Sequence, residues 1–76
     1  MNAEIFRFIA IAFVMGVGTI APAIAIGIIG SRSAEAISRN PESAAKVQTA
    51  MTLALAFAEA IAIYGLVISL ILKFVA

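Results

Sequence analysis

The stretch Ala50–Leu72, AMTLALAFAEAIAIYGLVISLIL, sets one carboxyl, Glu59, inside a long apolar run. Its only other ionisable side chain is Tyr64, neutral at ordinary pH, and its only other polar groups are Thr52 and Ser69. A run of this length crosses a bilayer as a helix, and Glu59 lies about two residues, or ~3 Å, from its midpoint. An ionised side chain at that depth costs at least ~2.5–3.5 kcal/mol. A carboxyl that only bonded a neighbouring helix could be replaced by glutamine without titration. The stronger reading is a carboxyl that binds and releases a cation inside the membrane.

Within this run, Leu53–Ile63 alternates large and small residues, a period of two that suggests a strand. A membrane strand alternates apolar with polar, whereas here both faces are apolar. Alanine is the best helix former and no turn residues punctuate the run. The stretch is predicted to be helical.

The rest of the 76 residues agrees with a membrane protein: 64% are hydrophobic and 12% charged, too few to cover a soluble domain. The net charge of +1 gives no indication of a nucleic-acid partner. With no cysteine, disulfides and thiolate metal sites are excluded, and with no histidine the commonest metal ligand is missing. No metal site, cofactor or catalytic residue is expected. The first apolar segment, Ile5–Ile29, exceeds a signal peptide's apolar core and lacks a typical cleavage region, so it is read as retained.

Between the two apolar segments lies Gly30–Lys46, the polar stretch of the chain. Ser33-Ala34-Glu35-Ala36-Ile37 favours helix, and Asn40-Pro41 marks the break, because proline disfavours helix at the residue before it and can open one at its own position. The expected fold is an all-α membrane protein: one two-helix transmembrane hairpin over residues 1–76. Its helices are placed at about 4–38 and about 43–75, joined by a polar loop at about 39–42. Arg32, Arg39 and Lys46 flank the loop, against Arg7 and Lys73 at the two distal ends, which puts the loop on the cytoplasmic side and the termini opposite.

Small residues crowd the first helix: Gly16, Gly18, Ala21, Ala23, Ala25, Gly27 and Gly30, seven in fifteen positions. Gly16, Thr19, Ala23, Gly27 and Gly30 follow one face, while Ala21 and Ala25 extend the small surface around the cylinder. Small side chains let membrane helices approach closely, and small surface on more than one face suits a ring of identical subunits. Pro22 removes one backbone hydrogen bond within this helix, and a kink rather than a break is expected.

Taken together, the small-residue pattern from Thr19 to Gly27, the loop Arg39-Asn40-Pro41, and Phe57-Ala58-Glu59-Ala60 followed by Tyr64 make the chain resemble the c subunits of the F-type ATP synthases. That family is the membrane proteolipid of the rotor ring, and the resemblance covers essentially the whole chain. It implies a non-catalytic, lipid-embedded, multi-pass subunit of an energy-coupling membrane, most simply a bacterial inner membrane. Its partners would be identical c subunits, the stator's a subunit and the central stalk. Glu59 would take an ion from one aqueous half-channel, travel neutralised past lipid, and release it into another beside a stator arginine. Arg39, Asn40 and Pro41 would seat the stalk. Independently, desolvation disfavours a charged carboxylate in lipid, a nearby cation favours it, and each crossing charge gains ~2.3 kcal/mol per 100 mV.

Two departures from the family pattern bear on the ion and the ring. Sodium-binding members carry a glutamine where this chain has Ile26 and a hydroxyl residue where it has Ala60. Sodium must replace its water with several oxygen ligands, so the expected ion is the proton, held by Glu59 among Ala56, Ala60 and Ile63. Many members also alternate glycines along helix 1, where this chain has Thr19, Ala21, Ala23 and Ala25, and bulkier side chains could alter ring size. Tyr64 is rotated ~140° and displaced ~7.5 Å from Glu59 on one helix, so any contact implied by the resemblance crosses to an adjacent subunit. The backbone carbonyl of Phe57 is the expected local acceptor for the Glu59 proton. Two alternatives stay open from the sequence: the proteolipid of a vacuolar or archaeal-type rotary ATPase, and a holin-like pore former. The second needs no mid-membrane carboxyl and usually carries a strongly charged tail, unlike Lys73-Phe74-Val75-Ala76.

Overall fold

Asn2 opens the first helix: its side-chain oxygen accepts the Ile5 N–H at 2.9 Å, satisfying one of the otherwise free donors of the first turn. The computed structural model describes residues 2–75, so Met1 and Ala76, the outermost residues of the expected unit, lie outside the described residues. Helix α1 spans Ala3–Gly18 and α2 spans Ile20–Arg39. A 3-10 turn covers Pro41–Ser43, and α3 spans Ala44–Phe74. The whole is a hairpin, with α1 and α2 running in series against α3.

The first helix departs from regular geometry for a single residue, Thr19, between α1 and α2, and continues as one helical span over Ala3–Arg39. Pro22 has no N–H, which leaves the Gly18 carbonyl without its helical donor. The Thr19 hydroxyl donates to the Met15 carbonyl at 2.5 Å, and the backbone flattens to φ −91°, ψ −7°. Regular bonding resumes where the Ala23 N–H reaches the Thr19 carbonyl at 3.0 Å. Because Thr19 stays in the right-handed region, the two helices still form one apolar span over Ala3–Arg39.

The connection between α2 and α3 runs over residues 40–43, four residues long and one position later than the loop expected at about 39–42. Arg39 closes α2, Asn40 alone is non-helical at φ −141° and ψ 83°, and Pro41 opens the 3-10 turn. A following proline disfavours the helical region at Asn40, and its backbone lies outside that region. The Asn40 carbonyl accepts both the Ser43 N–H at 3.0 Å and the Ser43 hydroxyl at 2.7 Å, so the corner is satisfied locally.

The run with alternating large and small residues lies within the unbroken 31-residue helix α3. At 1.5 Å per residue this helix is ~46 Å long, beyond the ~30 Å of hydrocarbon. Val47, Met51, Ala54, Ala58, Ala62, Gly65, Ser69 and Leu72 recur every three or four residues as its half-buried or buried stripe. Pro22 is the buried residue of the opposing span, and a Cβ at Gly65 would sit 3.5 Å from Val14 Cγ1, which fixes the antiparallel register. Ser69, only 5% exposed, has its hydroxyl bonded to the Gly65 carbonyl at 2.9 Å.

Among the described residues only Pro22, Ala58 and Ser69 are buried, while large side chains from Ile5 to Val75 stand exposed. A hairpin of 58 × 18 × 9 Å with so little interior cannot hide its apolar surface from water. That surface requires an apolar environment.

Candidate ion-binding site and loop

Glu59 lies at the midpoint of α3, fifteen residues from Ala44 and fifteen from Phe74. The neighbouring Ala58 is 6% exposed and faces the first span, so one helical step of ~100° turns Glu59 onto a flank of the hairpin. Its carboxyl is exposed there, with no ion pair among the described residues. Within one chain, then, the carboxyl has no counter-ion and points toward whatever packs beside the hairpin.

The sequence-derived supporting residues do not converge on Glu59 within one chain. Tyr64 and Phe57 are 66% and 67% exposed, and helical rotation sets them on the opposite flank, ~140° and ~160° from Glu59. Ile26 is half-buried on the first span, and Ala60 is half-buried one step beyond Glu59. The Phe57 carbonyl belongs to the continuous α3 ladder. Two flanks of one hairpin, one bearing Glu59 and the other Tyr64 and Phe57, can meet only between copies.

The small residues also face away from the hairpin's own seam. Cβ atoms built on Gly16, Gly18, Gly27 and Gly30 would meet no atom within 4 Å, and Ala21 and Ala23 are exposed, while Ala25 is half-buried. The close approach inside the chain is made instead by Gly65 against Val14, a pairing that the hydropathy pattern did not reveal. One glycine amid large apolar residues was the available signal.

At the other end, Arg39 pairs with Glu35 at 2.6 Å, one helical turn apart. Both side chains are largely solvated, so the pair adds little stability and leaves the guanidinium accessible. Asn40 and Pro41 are exposed at the tip. No group of three or more His, Cys, Asp or Glu side chains able to hold a metal ion occurs among the described residues.

Comparison with known proteins fits this geometry. The family model for the ATP synthase C subunit matches residues 9–72. An ATP synthase c subunit from Dehalococcoides mccartyi is 47% identical over 76 residues, covering 100% of both chains. One from Chloroflexus aurantiacus is 45% identical over 71 residues, 93% of each chain. Another, from Gloeobacter violaceus, is 42% identical over 66 residues, which is 87% of this chain and 80% of that one. Two apolar helices long enough to span a bilayer, joined as a hairpin, and matched along almost their full length establish an integral membrane protein that belongs to the ATP synthase c-subunit family.

Proposed function

We propose that this chain is a rotor-ring subunit of an F-type ATP synthase that carries protons on Glu59. The observation that carries the reading is a lone carboxyl at the centre of a membrane-length helix, on a flank free to meet a neighbour. Identical hairpins side by side would close into a ring, bringing the Glu59 flank of one against the Tyr64 flank of the next. The carboxyl would exchange its ion with water in the stator's half-channels and travel past lipid between them. The chain performs no bond chemistry itself, and the transmembrane potential acting on each crossing charge drives rotation. The loop, on the cytoplasmic side of a bacterial membrane, would seat the central stalk.

Carbodiimide, which attacks protonated carboxyls in apolar surroundings, tests this in the isolated ring. Glu59 is expected to be labelled ahead of Glu4, Glu35 and Glu42, more slowly as pH rises. Labelling at fixed pH is expected to be unaffected by millimolar sodium relative to potassium at equal ionic strength. Ile26 and Ala60 offer no side-chain oxygen with which to replace sodium's water. Sodium protection would assign the site to sodium; label on another glutamate would remove Glu59 as the ion site.

Tyr64 is proposed to support the carboxyl of an adjacent subunit through its hydroxyl. Tyr64→Phe keeps the ring's packing and removes only that oxygen, so assembly is expected to persist while the labelling profile moves toward lower pH. An unmoved profile would leave Tyr64 with packing alone.

A further inference from the structure

Thr19, where the first span leaves regular helical geometry, stands at the depth of Glu59. The approach of Gly65 to Val14 sets the level. From that contact Thr19 lies five residues forward along the first span, and Glu59 six residues back along α3. These are axial steps of ~7.5 Å and ~9 Å, in the same direction because the helices run antiparallel. The rotations agree as well. Thr19 is turned ~140° and Glu59 ~120° from the seam, and on antiparallel helices turns of the same sign lead to the same flank. Tyr64 and Phe57 occupy the other one. The polar backbone around Thr19 is therefore what the first span presents beside Glu59, on its own side of the hairpin.

That backbone carries a carbonyl in need of a donor. A helical carbonyl points along the axis toward the residue four further on, so the Gly18 oxygen faces Pro22, which has no N–H to give. The next N–H, that of Ala23, is taken by the Thr19 carbonyl at 3.0 Å. No turn or cap bond among the described residues ends on the Gly18 oxygen. The Thr19 hydroxyl spends its hydrogen on the Met15 carbonyl, which leaves its oxygen able only to accept. In the hydrocarbon such a backbone group must find a partner, because leaving it bare costs free energy. A Cβ built on Gly18 would meet no atom within 4 Å, so there is space beside the carbonyl. Two acceptors on the first span thus share a level and a flank with a carboxyl on α3, and no protein donor lies between them and Glu59.

We propose that the Gly18 carbonyl and the Thr19 hydroxyl hold one water molecule at mid-membrane, and that this water accepts the Glu59 proton's hydrogen bond. The proposal rests on Glu59 being the ion site. The water donates one hydrogen to the Gly18 carbonyl and the other to the Thr19 oxygen, and accepts from the Glu59 O–H. Three bonds are what a buried water ordinarily makes. No covalent bond changes in this state: the proton stays on Glu59, and the water fixes the direction in which its O–H points. Pro22 is then a positioning residue, acting through the carbonyl it leaves free.

The test is a structure of the isolated ring at a resolution that shows ordered waters, together with carbodiimide labelling of the same samples. In the parent ring, density for one water is expected within about 3 Å of both the Gly18 and the Thr19 oxygens. Pro22→Ala restores an N–H that takes the Gly18 carbonyl, and Thr19→Val removes the second acceptor; the water is expected to disappear from both. Thr19→Ser keeps the oxygen and should keep the water. At acid pH, labelling of Glu59 is expected to be several-fold faster in Pro22→Ala and Thr19→Val than in the parent, because its O–H no longer has to leave a partner before reacting, and Thr19→Ser should return the parent rate. Should Pro22→Ala prevent the ring from assembling, the Thr19→Val and Thr19→Ser pair decides the matter alone. If Glu59 labels but the parent shows no water at Gly18, or if the water and the labelling rate are unchanged in Thr19→Val, the water site is overturned while the ion site stands. Label on a different glutamate would bring down the ion-site reading and this proposal together.

Discussion

Glu59→Gln is expected to reduce proton transport by the assembled complex at least a hundred-fold while leaving the ring intact. The two halves of that expectation have separate physical causes. Glutamine keeps the length and hydrogen-bonding capacity of a protonated glutamate, and in the hairpin position 59 is an exposed flank rather than part of the intrachain seam. The change therefore opens no cavity and strands no partner. What it removes is titration, and no other carboxyl stands within the membrane-spanning part of α3 to replace it. Proton flux through vesicles stripped of the catalytic head measures the first half. The oligomer's survival in mild detergent measures the second. Transport that persists with Glu59→Gln would mean the ion passes elsewhere. Loss of the ring would give the carboxyl a structural role.

Arg39→Ala and Pro41→Ala are expected to leave the ring in place and separate proton flow from ATP synthesis. Coupling should fall several-fold, with protons leaking through a membrane that holds a normal complement of rings. The corner is built for exposure: Arg39 ends α2 with its guanidinium held by Glu35, and Asn40 and Pro41 stand at the tip. Removing Arg39 costs a solvated i, i+4 pair, too weak to unfold a membrane-embedded hairpin. Removing the Pro41 ring frees φ and the neighbouring Asn40, so the turn samples more conformations. Both variants lie at the solvated tip, away from the apolar part of the spans, and any large effect must arise from what docks there. The ratio of ATP made to protons passed decides the matter. Normal ratios in both variants would reduce the loop to a connector.

Much of the hairpin could be read locally. Asn40-Pro41 ends one helix and starts the next because proline acts on its own φ and on the residue before it, whatever surrounds them. The Leu53–Ile63 alternation is helical because a spanning segment must satisfy its backbone internally. The interruption at Thr19 was less accessible. Pro22 announced a lost hydrogen bond, but which residue would leave the regular ladder shows only in the backbone at Thr19.

The sequence by itself determined the depth of Glu59, the number of spans and the place of the turn, since each follows from chain length, hydropathy and a local backbone constraint. Only the tertiary structure decided which side of the hairpin Glu59 occupies. In water, a polar face would tell a helix which way to turn. α3 is apolar almost all round within the membrane, so polarity gives no such instruction. Shape decides instead: Gly65 packs beside Val14, Ala58 and Ser69 close the seam, and the rotation they fix carries Glu59 to one flank and Tyr64 to the other.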